Sequence, residues 1–277
     1  MIPADFDYVR ADSLGHATAL KADHGEDAKF LAGGHSLIPL MKFRLAAPSA
    51  LIDISQLAEL RHLQQDDGVL RLGAGLRYRD LEFSPLVHEQ LPLLAAAVAT
   101  VGDRQVRARG TIGGSVVHGD PAADVPAVLL ALDATMGLRG PGGEREVAAR
   151  DFFVDFWETA AQPDEILVEI RVPALPRRPW GFVKFRQRSQ DWATVGVAVQ
   201  ERNDRRPAVA LVNMGPTPLR ARAVEEALAG GSSVEEAAAQ ASEGSSPPSD
   251  LRADAEYRLH LARVLTARAL TQAAAGH

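Results

Sequence analysis

The sequence contains no cysteine. That excludes disulfides, a cysteine-ligated iron–sulfur cluster, a cysteine-type zinc site and a redox-active thiol pair within this chain. Any redox chemistry must then run on a bound organic cofactor, and any metal centre must belong to another chain. A surplus of positive charge is missing too: 30 Lys and Arg stand against 36 Asp and Glu, a formal net charge of −6. Nucleic-acid binders carry a basic excess or a dense basic stripe, so no nucleic-acid partner is expected. No apolar run approaches about 18 residues, the length of a membrane span. The opening "MIPADFDYVR" has neither a basic nor an apolar leader region, and a cytoplasmic place is predicted.

Two nucleotide signatures are also missing. The phosphate-loop pattern G-x-x-x-x-G-K-[ST] does not occur. "LGAGLRYRDLE" supplies Gly73, Ala74 and Gly75, but Tyr78 stands where a dinucleotide fingerprint needs its third glycine.

What is present is a chain of 277 residues, 46% hydrophobic, enough for one large domain or several small ones. Residues 1–55 alternate strand and helix signals. Ser13 can cap a helix that stops near Gly25, "AKFLA" and "ALIDI" read as strands, and "SLIPLMKFRL" reads as a short helix between them. Residues 56–173 hold a strand at 68–75, an apolar helix at 91–102 and a helix through 122–134. A Pro-Gly-Gly hairpin at 134–147 and a strand at 164–173 follow. After "ALPRRP", residues 174–277 give strands at 181–188, 193–201 and 208–215, then helices. That order predicts an α+β unit.

Two glycine pairs stand out. Ala32-Gly33-Gly34-His35-Ser36 and Thr111-Ile112-Gly113-Gly114-Ser115 each join Gly-Gly to a hydroxyl residue. Either could be an ordinary turn. Together they read as two backbone nests, whose N–H groups could take the two phosphates of a dinucleotide. His118, Asp120 and Asp124 follow the second pair. Asp124 could cap a helix or bond a ribose hydroxyl, and three such side chains fit a metal poorly. Arg104, Arg107 and Arg109 could be a solvated face, a phosphate contact or a subunit contact. Trp192 could be core or could stack on a flavin ring.

At these residues the chain resembles a known family. "LAGGHSLIPLMKFRLAAPSALIDI" and "RQVRARGTIGGSVVHGDPAADVPAVLLALDA" are similar to the two FAD-binding segments of the medium flavoprotein subunit of molybdenum hydroxylases. That family includes xanthine dehydrogenase-like enzymes and aerobic carbon monoxide dehydrogenase, and the likeness is greatest to the latter's medium subunit. It implies an α+β fold: two FAD-binding subdomains (1–55 and 56–173), then a C-terminal domain (174–277) of a three-stranded sheet with helices. It implies that Ala32, Gly33, Gly34, His35, Ser36 and Leu37, with Thr111, Ile112, Gly113, Gly114 and Ser115, hold the pyrophosphate and flavin. His118, Asp120 and Asp124 fall at the ribose or adenine end, and Leu167, Lys184 and Trp192 line the flavin. Ser115 departs from the family, where asparagine is commoner. No residue of this chain is implied as catalytic.

The implied partners are a large subunit with a molybdenum cofactor and a small subunit with [2Fe–2S] clusters, in a dimer of heterotrimers. Electrons would pass from the clusters through FAD to an external acceptor such as a quinone. The complex would be cytoplasmic, with the inner face of the membrane as an alternative place. The competing readings are a stand-alone flavin oxidase or reductase, a medium subunit serving an N-heterocycle or aldehyde, and a non-catalytic nucleotide-binding module.

Overall fold

The computed structural model describes residues 2–276 and builds them on three main sheets. The first unit runs β1 (Asp7–Arg10), α1 (Leu14–His24), β2 (Lys29–Leu31), α2 (Leu37–Lys42) and β3 (Ala50–Asp53). Its strands are parallel, in the order β1-β3-β2, so β3 is central and fully buried while β2 is an edge. The Ser13 hydroxyl accepts from the His16 N–H at 3.0 Å and starts α1. Lys21 ends it: its buried ammonium donates to the carbonyls of Gly25, Glu26 and Ala28 at 2.9, 2.9 and 2.8 Å. Those bonds satisfy carbonyls that a helix end and turn would leave open. β1 is an addition to the predicted strands, because its polar "DYVR" buries no full face and shows no alternation.

The second unit is an antiparallel sheet ordered β4 (Leu63–Asp66), β5 (Val69–Gly73), β10 (Ile166–Pro173), β6 (Thr135–Gly140) and β7 (Gly143–Ala148). Between β5 and β6 the chain makes α3 (Tyr78–Glu82), α4 (Pro85–Gln90), α5 (Pro92–Val98), α6 (Arg104–Arg109), α7 (Ile112–His118) and α8 (Asp124–Ala131). Every residue of α8 is buried, which explains its continuous apolar sequence. Pro126 falls in its first turn, where a missing N–H costs nothing. A short helix, α9 (Ala149–Phe152), and a small hairpin, β8 (Phe153–Asp155) with β9 (Glu158–Thr159), lead to β10.

The third unit is the expected three antiparallel strands, β11 (Trp180–Phe185), β12 (Val195–Glu201) and β13 (Pro207–Val212), extended by the two-residue β14 (Leu219–Arg220). α10 (Arg222–Ala229), α11 (Val234–Ala239) and the long α12 (Ala255–Ala275) complete it. Buried Val195, Val197, Val199, Val209 and Leu211 meet Leu261, Leu265 and Leu270 of α12. Ala198, Ala208 and Ala210 belong instead to the core of the second unit, so the sheet buries both faces and joins the two units.

Candidate cofactor site

The link from β2 to α2 carries the first glycine pair. None of the backbone N–H groups of Ala32, Gly33, Gly34, His35, Ser36 and Leu37 donates to an acceptor among the described residues. β2 is an edge strand, so no further strand of its sheet takes up the N–H groups of the chain leaving it. Gly34 turns the chain at φ 74°, a backbone state that glycine adopts freely. Successive free N–H groups at a turn form an anion-binding concavity. His35 stands beside them, and partial burial and the nearby Arg109 charge lower its pKa.

The second pair, the nest expected at 111–115, is built differently. It is the first turn of α7. Ile112 donates to Leu76 O at 3.0 Å, Gly113 to Ala74 O at 2.9 Å and Ser115 to Thr111 O at 3.2 Å. The Thr111 hydroxyl caps the helix by accepting from the Gly114 N–H at 3.1 Å. These four N–H groups have partners inside the fold, whereas the Thr111 N–H meets no acceptor among the described residues. Gly113 is required by packing, since a Cβ there would lie 2.5 Å from the Ala74 Cβ and 2.7 Å from its carbonyl oxygen.

The two pairs meet in space. A Cβ on Gly33 would lie 2.5 Å from the Arg109 carbonyl oxygen and 2.9 Å from Gly110 Cα. The open segment therefore lies directly on the chain that enters the closed one. Of the three arginines there, Arg107 is structural: it is buried and pairs with Glu82 at 2.7 and 3.2 Å.

Asp124 opens α8 and pairs with Lys184 of β11 at 2.6 Å, with each side chain only 4% exposed. The Lys184 ammonium also reaches the Thr100 carbonyl at 3.3 Å, and Arg186 donates to the same carbonyl at 3.1 Å. Asp124 Oδ1 is buried and has no hydrogen-bond partner among the described residues. Burial raises the pKa of this carboxyl, and the Lys184 and Arg186 charges pull against it. An orphaned buried acceptor costs free energy unless a ligand donor meets it, so Oδ1 suits a hydroxyl or ring N–H of a bound nucleotide. Burial drives up the pKa of the Tyr78 phenol, and the Ser115 side chain acts against that shift.

The other expected residues are more scattered. Leu167 is buried on β10 in the main core, beside a register shift with β6. His118 stacks on Trp157, with centroids 5.5 Å apart, and burial lowers its pKa. The Asp120 carboxylate holds its own turn by accepting from the Ala122 N–H at 2.8 Å. Trp192 stands 57% exposed on the loop between β11 and β12. Tyr78, Thr100 and Arg186 were not expected at the site. Tyr78 carried a signal, as the residue that breaks the glycine fingerprint. Thr100 acts through its carbonyl, which any residue could supply.

A family model described as "FAD binding domain in molybdopterin dehydrogenase" matches residues 4–175. One described as "CO dehydrogenase flavoprotein C-terminal domain" matches residues 180–273. The chain is 42% identical to the carbon monoxide dehydrogenase medium chain of Hydrogenophaga pseudoflava, covering 99% of this chain and 98% of the relative. It is 36% identical to the 6-hydroxypseudooxynicotine dehydrogenase complex subunit alpha of Paenarthrobacter nicotinovorans, covering 99% and 96%. A solved structure of the Hydrogenophaga pseudoflava carbon monoxide dehydrogenase superposes with a TM-score of 0.96 at 44% identity, covering 99% of both chains.

Proposed function

The chain belongs to the FAD-binding medium subunits of molybdenum hydroxylases, and from that premise we propose that it is the electron-transfer flavoprotein subunit of an aerobic carbon monoxide dehydrogenase. The observation that carries the FAD site is the run of unspent N–H groups over 32–37, backed by the orphaned Asp124 Oδ1. In this reading, Ala32, Gly33, Gly34, His35, Ser36 and Leu37 take the pyrophosphate through backbone donors. Thr111, Ile112, Gly113, Gly114 and Ser115 form the wall on which that segment rests. Asp124 meets a hydroxyl or ring N–H through Oδ1, while Lys184 keeps its other oxygen occupied and neutralises it. His118 and Asp120 shape the turn that leads to Asp124. Leu167 and Trp192 line the ring system. Residues 1–55 and 56–173 act as the FAD-binding subdomains, and 174–277 bring Lys184 and Trp192 to them.

Bound FAD would accept electrons and release them to a second carrier; the protein supplies binding, orientation and electrostatic tuning. The donors would be [2Fe–2S] clusters of a small subunit. They would be fed by a large molybdopterin-binding subunit in a dimer of heterotrimers, lying in the cytoplasm or at the inner face of the membrane, and the final acceptor would be external, such as a quinone. Carbon monoxide is favoured by the 42% identity to a medium chain of that name. A complex that oxidises an N-heterocycle or aldehyde is the second reading, favoured by the relative from a pseudooxynicotine dehydrogenase.

Purification from the native host tests this directly. Two partner chains carrying molybdenum and iron should accompany the yellow subunit, and carbon monoxide should reduce an added dye. Dye reduction by an N-heterocycle but not by carbon monoxide would select the second reading. A colourless chain, or one that oxidises an organic substrate unaided, would overturn both.

A further inference from the structure

Asn213 stands immediately after β13 with φ 62°, in the left-handed region that asparagine tolerates better than most residues. It is buried, and it uses its donors on two separate parts of the chain. Its backbone N–H donates to the Pro121 carbonyl at 2.9 Å. Its side-chain amide donates to the carbonyls of Ala193 at 2.9 Å and Thr194 at 3.3 Å. Pro121 leads into Asp124, and Ala193 follows Trp192. One residue thus joins the segment entering α8 to the end of the loop that bears Trp192.

A second group converges on the same carbonyl. Arg258 of α12 is fully buried, and its guanidinium donates to Thr194 O; its other amino group pairs with Asp250 at 2.8 Å. Burying a guanidinium is costly, and an apolar side chain would fill that space more cheaply. Thr194 also closes the loop at its base, donating to Phe185 O at 2.8 Å. The Asp124–Lys184 pair ties the same two arms together at the loop's other end. The arms are therefore bridged twice, before and after the exposed stretch that carries Trp192.

We propose that Asn213, supported by Arg258, is a positioning residue that sets the Trp192 loop against the segment leading to Asp124. It thereby fixes how Trp192 meets the flavin. The proposal rests on the reading of Trp192 as flavin-facing. The loop can be followed without flavin, so failure of the anchor and failure of that reading give different results.

Asn213→Gly is the decisive variant. Glycine keeps the left-handed backbone and the N–H to Pro121, and removes only the two side-chain bonds. In the full-length chain stripped of FAD, trypsin should cut after exposed Arg188 roughly tenfold faster than in the parent, the scale of losing one to two hydrogen bonds. Cleavage elsewhere should keep its rate. In the FAD-loaded chain, flavin content should be unchanged. The flavin absorption band and fluorescence should shift in the same sense as in Trp192→Ala. Arg258→Met should reproduce the faster cleavage more weakly. Unchanged cleavage at Arg188 in Asn213→Gly would overturn the anchor. Faster cleavage, with a flavin spectrum that neither Asn213→Gly nor Trp192→Ala alters, would overturn the flavin-facing reading and the positioning role with it. A spectrum altered by Trp192→Ala but not by Asn213→Gly would overturn the positioning role alone.

Discussion

Along 32–37 no backbone N–H has an acceptor among the described residues, whereas Ile112, Gly113, Gly114 and Ser115 all spend theirs within the fold. Both segments carry Gly-Gly beside a hydroxyl residue, so composition does not separate them. Surroundings do. The first leaves an edge strand, and no further strand of that sheet takes up its N–H groups. The second follows α6, bridges Arg77 at Thr111 and enters a helix laid on residues 74–76. Glycine serves opposite ends in the two places. Gly113 lets backbone pack on backbone, while Gly33 lets the open segment rest on the closed one. The pair works as donor row and supporting wall.

The largest effect should come from joining the two with a side chain. Gly33→Val would drive its Cβ onto the Arg109 carbonyl and Gly110, both backbone atoms that cannot swing aside. Overpacking of this kind costs about 1–3 kcal/mol and sometimes more. Soluble yield, thermal midpoint and FAD content should all fall together. A variant that keeps its thermal midpoint and loses only FAD would show that Gly33 faces the cofactor and not the wall.

Next in size is a difference in amide exchange. Without FAD, the amides of 32–37 should exchange freely, since only hydrogen-bonded groups are protected. With FAD they should slow by tenfold or more, on the order of a hydrogen bond or two each. Amides 112–115 should be protected in both states. Equal gains in protection at both segments would break the division between row and wall.

How much of this was legible in the sequence depended on whether the signal was local. Strands β5, β10, β11, β12 and β13 showed as apolar runs between turn residues, and they fall where expected. The short helices α3, α4, α6 and α7 did not. Each spans less than about two turns, so a 3.6-residue period has no room to repeat. The starts of α4, α6 and α7 carried the Ser84, Asp103 and Thr111 caps, with Pro85 at the first position of α4, and the start of α3 carried only Asp80, which accepts from the Arg77 N–H. Asp124 and Lys184 lie far apart in sequence, and no spacing rule pairs them. The two glycine segments were matched by chemistry, and the structure sets them in contact. Which N–H groups were already spent depended on residues 74–76, and nothing in either segment encodes that.

Acid should weaken the wall before the row. Gly113 hangs on the Ala74 carbonyl, and Ala74 donates to Val168 of β10 at 3.0 Å, next to Glu169. Burial would raise the Glu169 pKa, but bonds from Arg71, Arg171 and His62 overcome it and bring the carboxyl to about 2. A depressed acid contributes stability that is full above its unfolded value, near 4.5, and lost as pH falls toward 2. The thermal midpoint should therefore decline below about pH 5. Glu169→Gln should lower the neutral-pH midpoint and flatten that acid limb. An acid limb as steep in Glu169→Gln as in the parent would assign the loss to other carboxylates.

The smallest expected effect gives the sharpest test of the division. Thr111→Ala removes the cap of α7 and frees the Gly114 N–H. Loss of such a cap costs about 1 kcal/mol, roughly 2–4 °C in thermal midpoint for a chain of this size. Thr111→Ser keeps a hydroxyl in reach and should restore most of it. Gly114 is exposed, so its freed N–H becomes an additional available donor on the first turn of α7. If the wall only supports, FAD affinity should stay within about twofold, because one exposed hydrogen bond contributes little in water. A tenfold gain in affinity would mean that the cofactor lies against α7 and takes the new donor. The closed segment would then be a second cradle held shut by its own threonine.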